Sequence, residues 1–202
     1  MASKKTQNTA LQVANAIDEA MTLVGSRLFR EARVVLEQAE QAAERAGLGS
    51  SSFLAWGLSV VCDECQDSPN AVKYIRAALS QDPCAPPFLN SYRIIRGRTI
   101  RAFNTMDVND PAVPMFFKLL IDLDAVDAAA CLKFSQHAVA KGDGVKALAL
   151  AEDAVHLEPP TAERLRHLAG LLAAAGRHEE ARAREAEVEA LAVSFSCPTA
   201  QA

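Results

Sequence analysis

One alanine recurs along this chain at Ala32, Ala71, Ala112, Ala147 and Ala181, and by subtraction the intervals are 39, 41, 35 and 34 residues. A period of that size marks a stack of two-helix units, none of which buries its apolar face without a neighbour. Flanking columns keep the same register. Seven residues after each alanine stand Ala39, Ala78, Leu119, Ala154 and Val188, and nine before it stand Leu23, Cys62, Phe103, Ala138 and Leu172. Twelve before it stand Ala20, Ser59, Ile100, Ser135 and Ala169. Ile100 apart, that last set is small, as close crossing of two helices requires, because a large side chain there forces the backbones apart. Composition agrees: half the residues are hydrophobic, only 5% are aromatic, and much of the apolar content is alanine, which loses no rotamer freedom in a helix.

Three segments look alike around the marker: Leu28-Phe29-Arg30-Glu31-Ala32, Gly142-Asp143-Gly144-Val145-Lys146-Ala147 and Gly176-Arg177-His178-Glu179-Glu180-Ala181. Each reads as a turn followed by a helix start. Two of the units close on a proline, in Ala154-Val155-His156-Leu157-Glu158-Pro159 and in Ser80-Gln81-Asp82-Pro83. These features resemble the tetratricopeptide repeat (TPR) family, whose period is 34 residues, over about residues 13–193. The resemblance implies an all-α, right-handed α-solenoid of about five TPR-like helix pairs, at about 13–46, 52–83, 87–124, 127–159 and 161–193. The third pair is degenerate: its first helix, about 87–105, is arginine-rich and lacks the small residue, and Pro111 and Pro114 stand where its second begins.

The array is expected to occupy 11–193, between a flexible N-terminus at 1–10 and a frayed tail at 194–202. Gly47, Gly49 and the serines 50–52 form a joint ending in a helix N-cap. Asp82-Pro83-Cys84-Ala85-Pro86-Pro87 is a stiffer joint, because consecutive prolines do not continue a helix, and the first two pairs are expected to separate from the rest there. Thr161, followed by Glu163 and Arg164, suits a further helix start after Pro159-Pro160.

In the family, the first helix of each pair lines the concave face. That rule places Ala14, Ile17, Met21 and Val24 there in the first unit, Phe53, Trp56, Val60 and Asp63 in the second, and Leu132, Gln136 and Val139 in the fourth. A contiguous exposed apolar patch marks an interaction site, and tryptophan dominates many binding interfaces. Ile17, Met21, Val24, Phe53, Trp56 and Val60 therefore form the predicted groove for an apolar or amphipathic segment of a partner, docked helix-in-groove. The competing reading makes the same residues core. A second feature is the helix around Arg93, Arg96, Arg98 and Arg101. At 100° per residue Leu89, Tyr92, Ile100 and Phe103 share a face with Arg96 in its middle, so Arg96 needs a carboxylate such as Asp63 or Asp124, helix-end carbonyls or a ligand. Arg93, Arg98 and Arg101 point elsewhere, either as a solvated face or as contacts for an anionic ligand or acidic peptide.

Catalytic patterns are missing from the sequence. Cys62 and Cys65 form a lone CxxC with no second pair and no His-x-x-x-His at zinc spacing, and the four histidines are scattered. Neither GxSxG, a phosphate-cradling glycine loop nor HExxH occurs. No enzyme activity, metal or cofactor is expected. A net charge of −4 gives no general attraction for nucleic acid, and no apolar run approaches a membrane span. Five irregularly spaced cysteines suit reduced thiols and a cytoplasmic setting. The resemblance implies a protein-binding adaptor or chaperone, in its sharpest form like the small bacterial secretion chaperones that shield apolar segments. A homo-oligomeric scaffold or regulatory module is the alternative, and a nucleic-acid-associated regulator follows it.

Overall fold

A computed structural model describes residues 4–196. Within them lie ten α-helices and no strand: α1 (Lys4–Gly25), α2 (Phe29–Arg45), α3 (Ser52–Glu64), α4 (Ser68–Gln81), α5 (Pro86–Thr105), α6 (Val113–Asp122), α7 (Ala128–Ala140), α8 (Gly144–His156), α9 (Ala162–Ala174) and α10 (His178–Ser196). Residues 1–3 and 197–202 lie outside the described residues, and so does most of the tail expected to fray. α1 already begins at Lys4, ahead of residue 11, where the array was expected to start.

Local chemistry sets the helix starts. Ser51, Asp67, Asp127, Asp143 and Thr161 are N-caps whose side-chain oxygens accept from the backbone N–H three residues on, which satisfies a donor the helix leaves orphaned. Ser51 and Thr161 fill the capping roles their sequence context suggests. Pro86 and Pro87 stand in the first turn of α5, where a missing N–H costs nothing and the fixed φ suits a helix. The proline-rich segment thus launches a helix.

The turns inside the pairs repeat more faithfully than the helices. Arg27 (φ 62), Gln66 (φ 62), Gly142 (φ 76) and Gly176 (φ 78) are all left-handed, and each lies five residues before its marker alanine. The next N–H reaches back into the preceding helix at every one: Leu28 to the Leu23 carbonyl (2.9 Å), Asp67 to Cys62 (2.8 Å), Asp143 to Ala138 (2.9 Å) and Arg177 to Leu172 (2.9 Å). This is the six-to-one bond of the Schellman motif. It turns the chain so that α1 packs on α2, α3 on α4, α7 on α8 and α9 on α10. α5 with α6, the expected third pair, is not among these closely packed pairs.

The chain divides into two compact units, residues 1–99 and 100–202. The division falls inside α5, between Thr99 and Ile100, and not at residues 83–87 as the prolines suggested. In the first unit Ala20, Ala32, Leu36, Ala39, Ala43, Leu54, Leu58 and Val61 form one buried cluster with Val13. In the second, Ala151, Leu168, Leu172 and Ala181 do the same, and Phe117 stacks on Phe134 with ring centroids 4.3 Å apart.

Most of the repeated columns are buried: Ala32, Ala71, Ala147 and Ala181, with Ala20, Ser59, Ser135 and Ala169 twelve residues earlier. In these two columns the third unit departs by one residue, while its Phe103 and Leu119 stay buried in register. Val113 is buried in place of Ala112 and Thr99 in place of Ile100. The inner face of α5 runs through Phe88, Ile95, Thr99 and Phe103, so of the expected face of Leu89, Tyr92, Ile100 and Phe103 only Phe103 is buried, and the other three are half-buried beside it.

Candidate functional site

In the first unit α1 lies against α3, and a cleft of about 480 Å³ opens between them. Its α1 wall is Ala10, Val13, Ala14, Ile17 and Asp18; the end of α2 and the following joint contribute Ala43, Leu48 and Gly49; the start of α3 contributes Ser51 and Phe53. The α1 residues follow helical spacing, i, i+3, i+4, i+7, and so present one stripe. Small side chains at Ala10, Ala14, Ala43 and Gly49 leave the room, and Phe53, 52% exposed, stands at the edge. Asp18 is the one charged residue of the lining. Such a cleft suits a bulky apolar side chain carried on a segment with a basic neighbour.

The structure sorts the six predicted groove residues. Ile17 and Phe53 line the cleft. Met21 and Val24 instead pack against the buried cluster, as Ile17 also does in part. Gly57 explains Met21: a Cβ at that position would stand 3.4 Å from Met21 Cε and 3.3 Å from Leu36 Cδ1, so α3 meets the first pair through a glycine. Trp56 donates its indole N–H to Ser91 Oγ at 2.9 Å. It also sits in an aromatic trio, with centroids 6.3 Å from Phe53 and 6.0 Å from Phe88. A tryptophan bonded to Ser91 and set edge-on to Phe53 and tilted against Phe88 ties α3 to the start of α5. Val60 is half-buried. Ala10, Val13, Leu48 and Gly49 were missed, although the spacing of Ala10, Val13, Ala14 and Ile17 already carried the first half of the wall.

The arginines of α5 divide as well. Arg98 donates to Asp63 Oδ2 at 2.6 Å and Glu64 Oε1 at 2.9 Å, so it is occupied by the end of α3 and is no ready contact for an acidic ligand. The Asp63 carboxylate considered for Arg96 belongs to Arg98. Burial pushes the Asp63 carboxyl above its ordinary value, and the Arg98 charge pulls it partly back. Arg96 is half-buried at the border of the inner face, while Arg93 and Arg101 are exposed.

Two features that resemble reactive chemistry are packing devices. Cys62 is fully buried on α3 and Cys65, the C-cap of that helix, is half-buried. Burial pushes the Cys62 thiol up to about 12, with the nearby Arg33 charge opposing it, which suppresses the reactive thiolate. Among the described residues no group of three His, Cys, Asp or Glu is placed to hold a metal. Ser135 Oγ lies 2.8 Å from His167 Nε2 but is fully buried and donates its own proton to the Ala147 carbonyl at 2.6 Å. His167 Nε2–H is then the donor to Oγ, the reverse of a nucleophile–base pair.

Four helix pairs thus share a spacing, a left-handed turn and a set of buried columns. The chain is a tetratricopeptide-like helical-repeat protein. No family model matches its sequence, and no curated protein does. Solved TPR-like structures similar to it include PilF of Pseudomonas aeruginosa, with 15% identity, a TM-score of 0.41 and coverage of 88% of this chain and 75% of that one. The TPR protein TTC0263 of Thermus thermophilus shows 18% identity and a TM-score of 0.38 over 87% and 89% of the two chains. MamA from Desulfovibrio magneticus RS-1 shows 13% identity and a TM-score of 0.37 over 98% and 100%. No helix in the described part of this TPR-like chain is long and apolar enough to cross a membrane.

Proposed function

We propose that this TPR-like protein is an adaptor or chaperone that holds an amphipathic segment of a partner polypeptide in the α1/α3 cleft. The observation that carries the reading is the cleft itself: a stripe of small and apolar side chains on α1, Phe53 left half in solvent beside it, and one carboxylate, Asp18, among the lining residues. Apolar surface of that kind is stabilised by occupation, and a single acid favours a segment with a basic residue next to its apolar ones. The cysteines described are free thiols, consistent with work in a reducing, cytoplasmic compartment.

The test is photo-cross-linking from position 53, with benzoylphenylalanine in place of Phe53, in lysate of the source organism. A second protein carries Ala14→Trp as well, which fills the cleft. The expected result is an adduct to an amphipathic segment of another protein, lost in the filled variant. Adducts to a second copy of this chain support the homo-oligomeric scaffold instead, and adducts that survive Ala14→Trp overturn the cleft as the site.

A further inference from the structure

The second unit holds a cleft of its own, of about 710 Å³, between α6, α7 and α8. Phe117 and Ile121 of α6, Cys131 of α7, Leu150 and Leu157 at α8 and Val126 of the intervening loop make its apolar walls, and Asp124, Asp153 and His156 supply the polar groups. Ile121 is 55% and Leu157 53% exposed. Two large aliphatic side chains thus face solvent on opposite walls of one apolar hollow.

The charged side chains that line this hollow are acidic. Asp124 and Asp153 line it, and no lysine or arginine does. α6 ends at Asp122 and α8 at His156, so two helices bring their C-terminal, partially negative ends to the cleft. Arg164 answers part of this, taking the Ala154 carbonyl at 3.0 Å and pairing with Glu158 at 3.4 Å, but it is not among the lining residues. The floor registers the field. Burial first, then the charges of Asp153 and Asp127, push the Cys131 thiol up to about 11.

We infer that this cleft is a second docking site, whose occupant is a segment of a partner polypeptide pairing an apolar side chain with a lysine or arginine. The apolar residue fills the hollow over Phe117 and Leu150, and the cation lies against Asp153. In the family the concave groove belongs to the first helices of the pairs; here the walls are mainly the second helices α6 and α8. The inference is independent of the α1/α3 cleft.

The test uses the full chain carrying Ala14→Trp, so that the first cleft is filled, and fluorescence anisotropy with two labelled amphipathic peptides. One carries leucines and lysines; the other has glutamates in place of the lysines. The lysine peptide is expected to bind at least about tenfold more tightly than its twin, with Asp153→Lys and the double variant Ile121→Gln/Leu157→Gln each weakening it about tenfold. All three positions replaced in these variants are exposed, and unchanged helicity by circular dichroism certifies the fold. Equal binding of the two peptides, absence of binding, or indifference to both variants overturns the proposal. If binding is seen without Ala14→Trp and vanishes with it, the first cleft stands and this one falls.

Discussion

At the scale of single residues, the turn positions carry the sharpest consequence. Of the four left-handed turn positions inside the helix pairs two are glycine and two are Arg27 and Gln66, although an L side chain in that conformation crowds its own backbone at a cost of about 1–2 kcal/mol. Gln66→Gly relieves the crowding and loses part of the gain to the freer unfolded chain. The expected outcome is a stabilisation of about 0.5–1 kcal/mol, read as a higher urea midpoint at unchanged slope.

His167 makes a second residue-scale prediction. Burial holds its imidazole below the ordinary value near 6.5, against the nearby Glu163 charge. The unfolded chain therefore binds a proton at a pH where the folded chain does not. The neutral form's contribution to stability is complete above about pH 6.5 and is lost as the pH falls from there through the lower folded value. Urea midpoints near pH 7.5 and pH 5.5 should fall further for the natural protein than for His167→Gln; an equal fall refutes the assignment.

Among elements, the attachment of α5 to α3 rests on polar and apolar contacts together. Phe88 and Ile95 are buried, Ser91 receives the Trp56 N–H, and Arg98 meets Asp63 and Glu64. Asp63 is the more buried partner, with 11% of its side chain accessible, and removing Arg98 leaves that carboxylate without its cation. Arg98→Met is expected to destabilise the fold by about 1–2 kcal/mol, and to leave binding at the α1/α3 cleft unchanged. An acidic-peptide role for Arg98 predicts the opposite, lost affinity at constant stability. Further along, Lys133 of α7 donates to the Phe103 and Asn104 carbonyls at 2.6 and 3.0 Å, a cation at the C-terminal end of α5 where the helix dipole favours it.

For the whole molecule, two compact units each keep a core and each holds a buried thiol, Cys62 in one and Cys131 in the other. Repeat arrays gain stability from units and their neighbours and open in parts. Among the described cysteines, alkylation under native conditions should reach exposed Cys84 first and half-buried Cys65 next. Cys62 and Cys131 should react only on opening, at different urea concentrations that mark the two units separately. Simultaneous reaction of both, followed by peptide mass spectrometry, would show a single cooperative block.

The sequence alone determined the helical-repeat architecture, because period, small crossing residues and capping side chains are local or periodic signals that each residue carries with it. Ser51, Thr161 and the alanine columns behave as their types require wherever the chain takes them. Of the six residues it proposed for a groove, Ile17 and Phe53 line the α1/α3 cleft. Tertiary structure decided what depends on a small rotation of a helix or on a partner from a distant segment: the burial of Thr99 and Val113 in place of Ile100 and Ala112, the division inside α5, and the fate of Trp56, Met21 and Arg98. An apolar side chain at a groove position is chemically the same whether solvent or another helix covers it. Only packing assigned Met21 to Gly57, Trp56 to Ser91 and Arg98 to Asp63, and left Phe53 half in solvent.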